Sequence, residues 1–276
     1  SDPSEQAHAA IFLACDESGG SVTGSDIIAG TFVTGEAQGA VSLGNINVGI
    51  LQEGGATEDG FAVGLVSATS IEVQDVEADE GIGFATLGTL TTGDLDAGTN
   101  VMALASGDMS LGSITTAPDG RTYLADAQMY LDNGGDEDNF DPNAVLALAP
   151  VATDGSITIN GPVTTGVFQA AAGTNFTASP ITAPFFSDEH LVGGINVSAG
   201  GTASINGTWT GAGIQVTSND IDITETGLID GSVSLVSTNA TQTVIGDGIG
   251  GGGYQLSDAE FDRVIGAGVI SVATDA

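Results

Sequence analysis

The chain has 276 residues and is 41% hydrophobic but only 5% aromatic, so its core must be built from Val, Ile, Leu and Ala. It carries 36 Asp and Glu against two basic residues, Arg121 and Arg263, and no lysine, for a formal charge of −34. That balance excludes a general nucleic-acid binder, which needs Lys and Arg to neutralise phosphate, and argues against electrostatic docking on anionic lipid.

The lack of lysine also excludes a Schiff-base lysine, a P-loop and a Lys–Asn isopeptide cross-link. A lone Cys15 rules out an internal disulfide. The 43 glycines, with many Thr, Ser, Asn and Asp residues, imply many turns and short strands, hence an all-β chain. So high a negative charge keeps a protein soluble and suits salty water. Divalent cation binding is the sharper alternative, and the two readings are compatible.

In chain order, the first apolar run, His8 to Cys15, is too short to span a bilayer. It lacks the basic flank of a signal peptide and reads as a strand over Ala9 to Ala14. A short repeat then begins: apolar-polar-apolar, a Gly or Asn, another apolar residue. Its copies start at Val22, Val41, Ile71, Leu90, Met109, Ile157, Phe176, Ala203 and Ile221. Most successive starts are 18 or 19 residues apart, as from 22 to 41, 71 to 90, 90 to 109, 157 to 176 and 203 to 221.

A period near 20 falls in the solenoid range. Alternation within each copy marks a strand with one buried face, and no helical crossover fits between strands so closely spaced. The expected fold is a right-handed parallel β-helix, a β-solenoid with loop insertions and one short helix near the carboxy terminus. Leu43, Val73, Leu111, Ile159, Ile205 and Ile223 should point inward. About 12 to 13 turns at about 4.8 Å each predict a rod of roughly 60 Å. No segment reads as a linker, and Ser179 to Pro184 is too short for one, so residues 1–276 read as a single domain.

The longer gaps, 109 to 157 and 176 to 203, predict loops leaving one side of the rod. The first is expected over about 120–150, including Tyr123 to Asp126. It contains Asp132-Asn133-Gly134-Gly135-Asp136-Glu137-Asp138-Asn139-Phe140-Asp141, in which Asp132, Asp136, Asp138 and Asp141 could supply the oxygen ligands of a Ca²⁺ ion. The EF-hand match is imperfect, with Gly134 at the third position and Asn143 at the twelfth. A solvated loop tip is the simpler reading, because charge runs usually face water.

Trp209 alternates with Thr208 and Thr210, which suits a packed rung position better than an exposed sugar-stacking one. His8 and His190 form no zinc pair, and no G-x-S-x-G nucleophile elbow is present. Gly246 to Gly251 fits G-x-G-x-x-G, but the chain holds no further βαβ units to complete a dinucleotide site. Ser257 and Glu260 form a capping-box pattern that predicts a helix over about 255–265, with Leu256, Phe261, Val264 and Ile265 on one face.

The 19-residue repeat, the Gly-Asn and Gly-Asp turns, and Tyr254 to Phe261 followed by Val269 to Val272 resemble filamentous-haemagglutinin-like exoproteins of proteobacteria, usually exported by two-partner secretion. The resemblance covers most of the chain. It implies a right-handed parallel β-helix with a role in adhesion, biofilm or fibre building at the bacterial cell surface, and it brings no catalytic residues. The amino-terminal secretion motifs of such proteins are missing, which suggests an internal or carboxy-terminal part. Expected partners are a second copy stacked head to tail, the remainder of a larger exoprotein, or surface glycans. The competing class is a β-helical polysaccharide hydrolase or lyase. A hydrolase needs two suitably spaced carboxyls, and a lyase needs a basic residue, for which Arg121 is the candidate.

Overall fold

Short strands alternating in burial are driven to stack, because each can bury only one side against its neighbours. The computed structural model describes residues 11–15, 19–49, 61–128, 150–184, 194–238, 243–246, 254–266 and 270–274. Its 26-stranded sheet is wound into a parallel β-solenoid with three faces, A, B and C, visited in that order by each turn.

Face A runs from Ile11–Cys15 through Val33–Ala37, Phe61–Ser67, Gly81–Thr86, Val101–Ala105, Arg121–Ala125 and Val167–Ala172. It continues through 195–199, 214–218 and 233–237 to Ile270–Thr274. Face B stacks Val22–Thr23, Val41–Leu43, Ser70–Val73, Thr89–Thr92, Met109–Leu111, Ile157–Ile159, Phe176–Ala178, 203–205 and 221–223. Face C stacks Ile27–Ala29, Ile46–Val48, Val76–Ala78, Leu95–Ala97, Ile114–Thr115, Val163–Thr164, Ile181–Ala183, 208–211, 228–230 and Val264–Ile265.

The repeat read from sequence is face B, and its starting residues are paired directly: Val22 with Val41, Val41 with Ile71, Leu90 with Met109, Met109 with Ile157, and Ala203 with Ile221. The predicted inward residues are buried, with Leu43 the most exposed at 5%. A continuous column of Val, Ile, Leu and Ala fills the rod. Within it Phe168, Phe176 and Trp209 meet edge to face at ring-centroid separations of 6.1 and 5.9 Å.

Two expectations need correction. Among the described residues the stack has nine complete three-sided turns, a tenth with no strand paired on face B and an eleventh face A strand, rather than 12 to 13 turns. Residues spent between strands add no rise, so the face A column spans about 48 Å at about 4.8 Å per step. The insertion does not begin near 120, because Arg121–Ala125 is a face A strand and Tyr123 and Leu124 are fully buried. In the chain it falls between the face A strand Arg121–Ala125 and the face B strand Ile157–Ile159, whereas residues 185–193 fall between the face C strand Ile181–Ala183 and the next face A strand. The short helix near the carboxy terminus is present, with bounds narrower than about 255–265: α1, Asp258–Phe261, lies between strands Tyr254–Leu256 and Val264–Ile265. Its capping box forms as expected, but Phe261 and Ile265 are exposed while Leu256 and Val264 are buried.

Corners are tight because adjacent turns touch through their backbones. A Cβ on Gly88 would collide with the carbonyl oxygen of Thr69 in the turn beneath, which is why glycine stands there. On the outer side of face A a second apolar cluster gathers Phe61, Ala85, Met102, Leu104, Tyr123, Ala125 and Ala127. Strands such as Val101–Ala105 are therefore buried on both sides.

Candidate functional site

Each turn presents one outward side chain at the middle of face B and one at the middle of face C, in ranks set by strand pairing. On turns five to eight, face B presents Ser110, Thr158, Thr177 and Ser204. The same turns of face C present Thr115, Thr164, Thr182 and Thr210. The corresponding positions on turns three and nine are Glu72 and Asp222 on face B and Glu77 and Asp230 on face C. The rod thus has a hydroxyl-bearing middle flanked by acidic turns.

The corner between faces B and C carries a ladder of side chains. Asp26 Oδ1 accepts from the Asn45 N–H at 2.9 Å, and Asn45 Oδ1 from the Asp75 N–H at 3.2 Å. Asp75 Oδ1 accepts from the Asp94 N–H at 2.9 Å, and Asp94 Oδ1 from the Ser113 N–H at 2.8 Å. The Ser113 contacts hold the Asp94 carboxyl below its ordinary range despite an opposing effect of burial. Close by, Asn47 Nδ2 donates to Glu77 Oε2 at 2.7 Å. Burial, then the charge of Asp79, pushes the Glu80 carboxyl up. An open groove beside the ladder is lined by Gly24, Asp26, Glu72, Asp75, Thr91 and Gly93. Repetition of Asp or Asn immediately before Ile27, Ile46, Val76 and Leu95 was the sequence signal for this ladder, which pattern reading assigned only to turns.

Other candidates are dispersed. Asp132, Asp136, Asp138 and Asp141 lie outside the described residues, as do His8 and His190, so the Ca²⁺ expectation has no geometry here. Among the described residues no group of three or more His, Cys, Asp or Glu is placed to hold a metal ion. Gly246 adopts φ +97° after strand Thr243–Ile245, which pairs with Tyr254–Leu256 in a separate two-stranded parallel unit. Residues 247–251 lie outside the described set. Trp209 is a rung residue, fully buried, with its indole N–H donating to the Ser179 carbonyl at 3.2 Å. The Arg121 backbone N–H donates to Asn100 Oδ1 at the start of a face A strand.

Arg263 occupies a place that pattern reading did not anticipate. Its Nη1 donates to the Ile223 carbonyl at 2.7 Å, beside Glu260, whose Oε1 accepts from the Ile223 N–H at 3.2 Å. Burial, then the nearby Asp220 and Glu260 charges, pushes the Tyr254 phenol above its ordinary range. Among the described residues no helix is long and apolar enough to cross a membrane. No protein-family model matches the chain, and no curated protein or solved structure shows significant similarity to it.

Proposed function

We propose that this chain is a structural and adhesive module of a secreted or cell-surface bacterial fibre, of the kind its sequence resembles in filamentous-haemagglutinin-like exoproteins. The observation that carries the reading is the division of labour across the strands. Trp209, Phe84, Phe168, Phe176, Tyr123 and Tyr254 are all buried, while the outward ranks on turns five to eight of faces B and C are hydroxyls. A polysaccharide-active enzyme would be expected to turn aromatics outward along a cleft beside a paired acid. The burial of these six aromatics and the uncharged outer ranks of turns five to eight favour a scaffold whose surface meets glycans or neighbouring molecules through hydrogen bonds.

Parallel rungs end in strand edges with free backbone groups, which suit addition of another strand. A head-to-tail contact between such ends does not close and so builds a filament. The negative charge of the sides opposes lateral clumping. The test is electron microscopy with sedimentation over a range of salt and calcium, on the full chain and on a chain lacking residues 269–276. That deletion removes Ile270–Thr274, the last face A strand. Extended assemblies that weaken on truncation are expected. A species that stays monomeric at high concentration, and sediments unchanged after the truncation, would overturn the reading.

A further inference from the structure

Face B ends differently from its neighbours. On turn ten, face A continues with 233–237 over 214–218, and face C continues with Val264–Ile265 over Ile229 and Asp230. Among the described residues no strand pairs with 221–223 on face B at turn ten. In a parallel stack the N–H and C=O of one residue point to the same neighbour. Ile205 directs its carbonyl to the Thr224 N–H in turn nine. Ile223, paired with Ile205, therefore directs its own N–H and C=O towards turn ten, where a strand would normally receive them.

Side chains receive them instead. Glu260 Oε1 takes the Ile223 N–H and Arg263 Nη1 takes the Ile223 carbonyl. Asp220 Oδ1 accepts from its neighbour Ile221 N–H at 3.0 Å and from Gln255 N–H at 3.1 Å. The device is held rigidly. The Glu260 carboxylate also accepts from the Ser257 N–H at 2.9 Å and from its hydroxyl at 2.7 Å. The Arg263 carbonyl accepts from the Ile229 N–H at 2.9 Å, anchoring the same residue in face C. Tyr254 and Leu256, both buried in the main core, cover the apolar column above this edge.

We infer that Tyr254 to Arg263 is a built-in edge plug, which closes face B to strand addition by a second copy of this chain and confines any contact at this end to faces A and C. The opposite charges of Glu260 and Arg263 match the two polarities of the exposed peptide groups, so one acid and one of the chain's two basic residues replace a strand. The inference stands apart from the fibre reading: it concerns which edge is shut, whatever the rod is used for.

The test compares the full chain with E260A/R263A and with E260Q by sedimentation velocity over a concentration series, with circular dichroism to verify the fold. The double variant should stay folded and self-associate roughly tenfold or more tightly than the unaltered chain, as expected when polar edge groups regain partners only by strand pairing. E260Q keeps an oxygen acceptor and the capping-box geometry, so it should sediment like the unaltered chain. A folded double variant with unchanged association would overturn the inference. If the double variant does not fold, hydrogen exchange decides. The Ile223 amide should be protected in the unaltered chain and in E260Q and should exchange faster in E260A, and equal rates in all three would overturn the plug.

Discussion

The corner between faces B and C is built in two ways along one rod. In turns one to five it is locked by Asp26, Asn45, Asp75 and Asp94, each side chain accepting from the backbone of the turn above. In turns six and seven the same position holds Pro162 and Pro180. Proline has no N–H to give, so the ladder stops where it begins. The backbone rank at this corner is unbroken: Leu95 donates to the Ser113 carbonyl at 2.8 Å, Ile114 to the Pro162 carbonyl at 3.0 Å, and Val163 to the Pro180 carbonyl at 2.8 Å. What the stack requires at this corner is an accepting carbonyl. The donor N–H is optional, and in turns two to five an acidic or amide side chain from the turn beneath accepts from it.

That comparison makes the inner column common to both regions and the corner chemistry local, and substitutions should separate the two. The largest effect is expected inside. Leu111→Asp buries an unpaired carboxylate at a position with no exposure and should cost at least ~3 kcal/mol. Its outward neighbour Ser110→Asp should stay within about 0.5 kcal/mol. Denaturant melts of the pair measure the contrast, and similar losses from both would mean that the inward register is wrong.

Next in size is the close approach of successive turns. Gly88→Val puts side-chain carbons against the Thr69 carbonyl oxygen and should cost about 1–3 kcal/mol. A thermal melt unchanged from the parent would show that this corner is looser than described.

The ladder itself should be worth less per position. Asp75→Ala removes the acceptor for the Asp94 N–H at an exposed corner and should cost about 0.5–1 kcal/mol. Asp75→Asn retains the oxygen, relieves repulsion between neighbouring acids, and should be neutral or mildly stabilising. Chemical denaturation at neutral pH distinguishes the two variants, and equal losses would assign the effect to charge instead of hydrogen bonding.

The smallest effect is a pH dependence. The Asp94 carboxyl is held below its ordinary range by the Ser113 donors. Its contribution is therefore complete above the unfolded value of about 3.9 and is lost as pH falls through the lower folded value. Asp94→Asn should flatten that part of the acid limb while leaving stability at neutral pH nearly unchanged. Exposure to solvent keeps the difference small. Melting temperatures followed from pH 6 downward should show a shallower fall for the variant, and parallel curves would remove Asp94 from the account.

Sequence alone determined face B, because Val-Ser-Leu at 41–43 or Ile-Thr-Ile at 157–159 alternates only if one side is buried and the other wet. It also determined the aliphatic character of the core and the acidic exterior. Face A was not legible in the same way. Val101–Ala105 and Arg121–Ala125 are covered on both sides, inside by the column and outside by the cluster around Met102 and Tyr123. Burial on two sides erases the alternation that marks a strand, so the second of them read as part of an insertion. The ladder was half visible, as recurring Asp and Asn before an apolar residue, but which N–H each oxygen meets depends on a turn 19 or 30 residues away. The plug was least visible, since Ser257 and Glu260 announce a helix start by local chemistry, whereas the need for Glu260 and Arg263 arises from two peptide groups of Ile223, 37 and 40 residues earlier. Only the tertiary structure decided that, because a strand edge does not exist until the stack that ends there has formed.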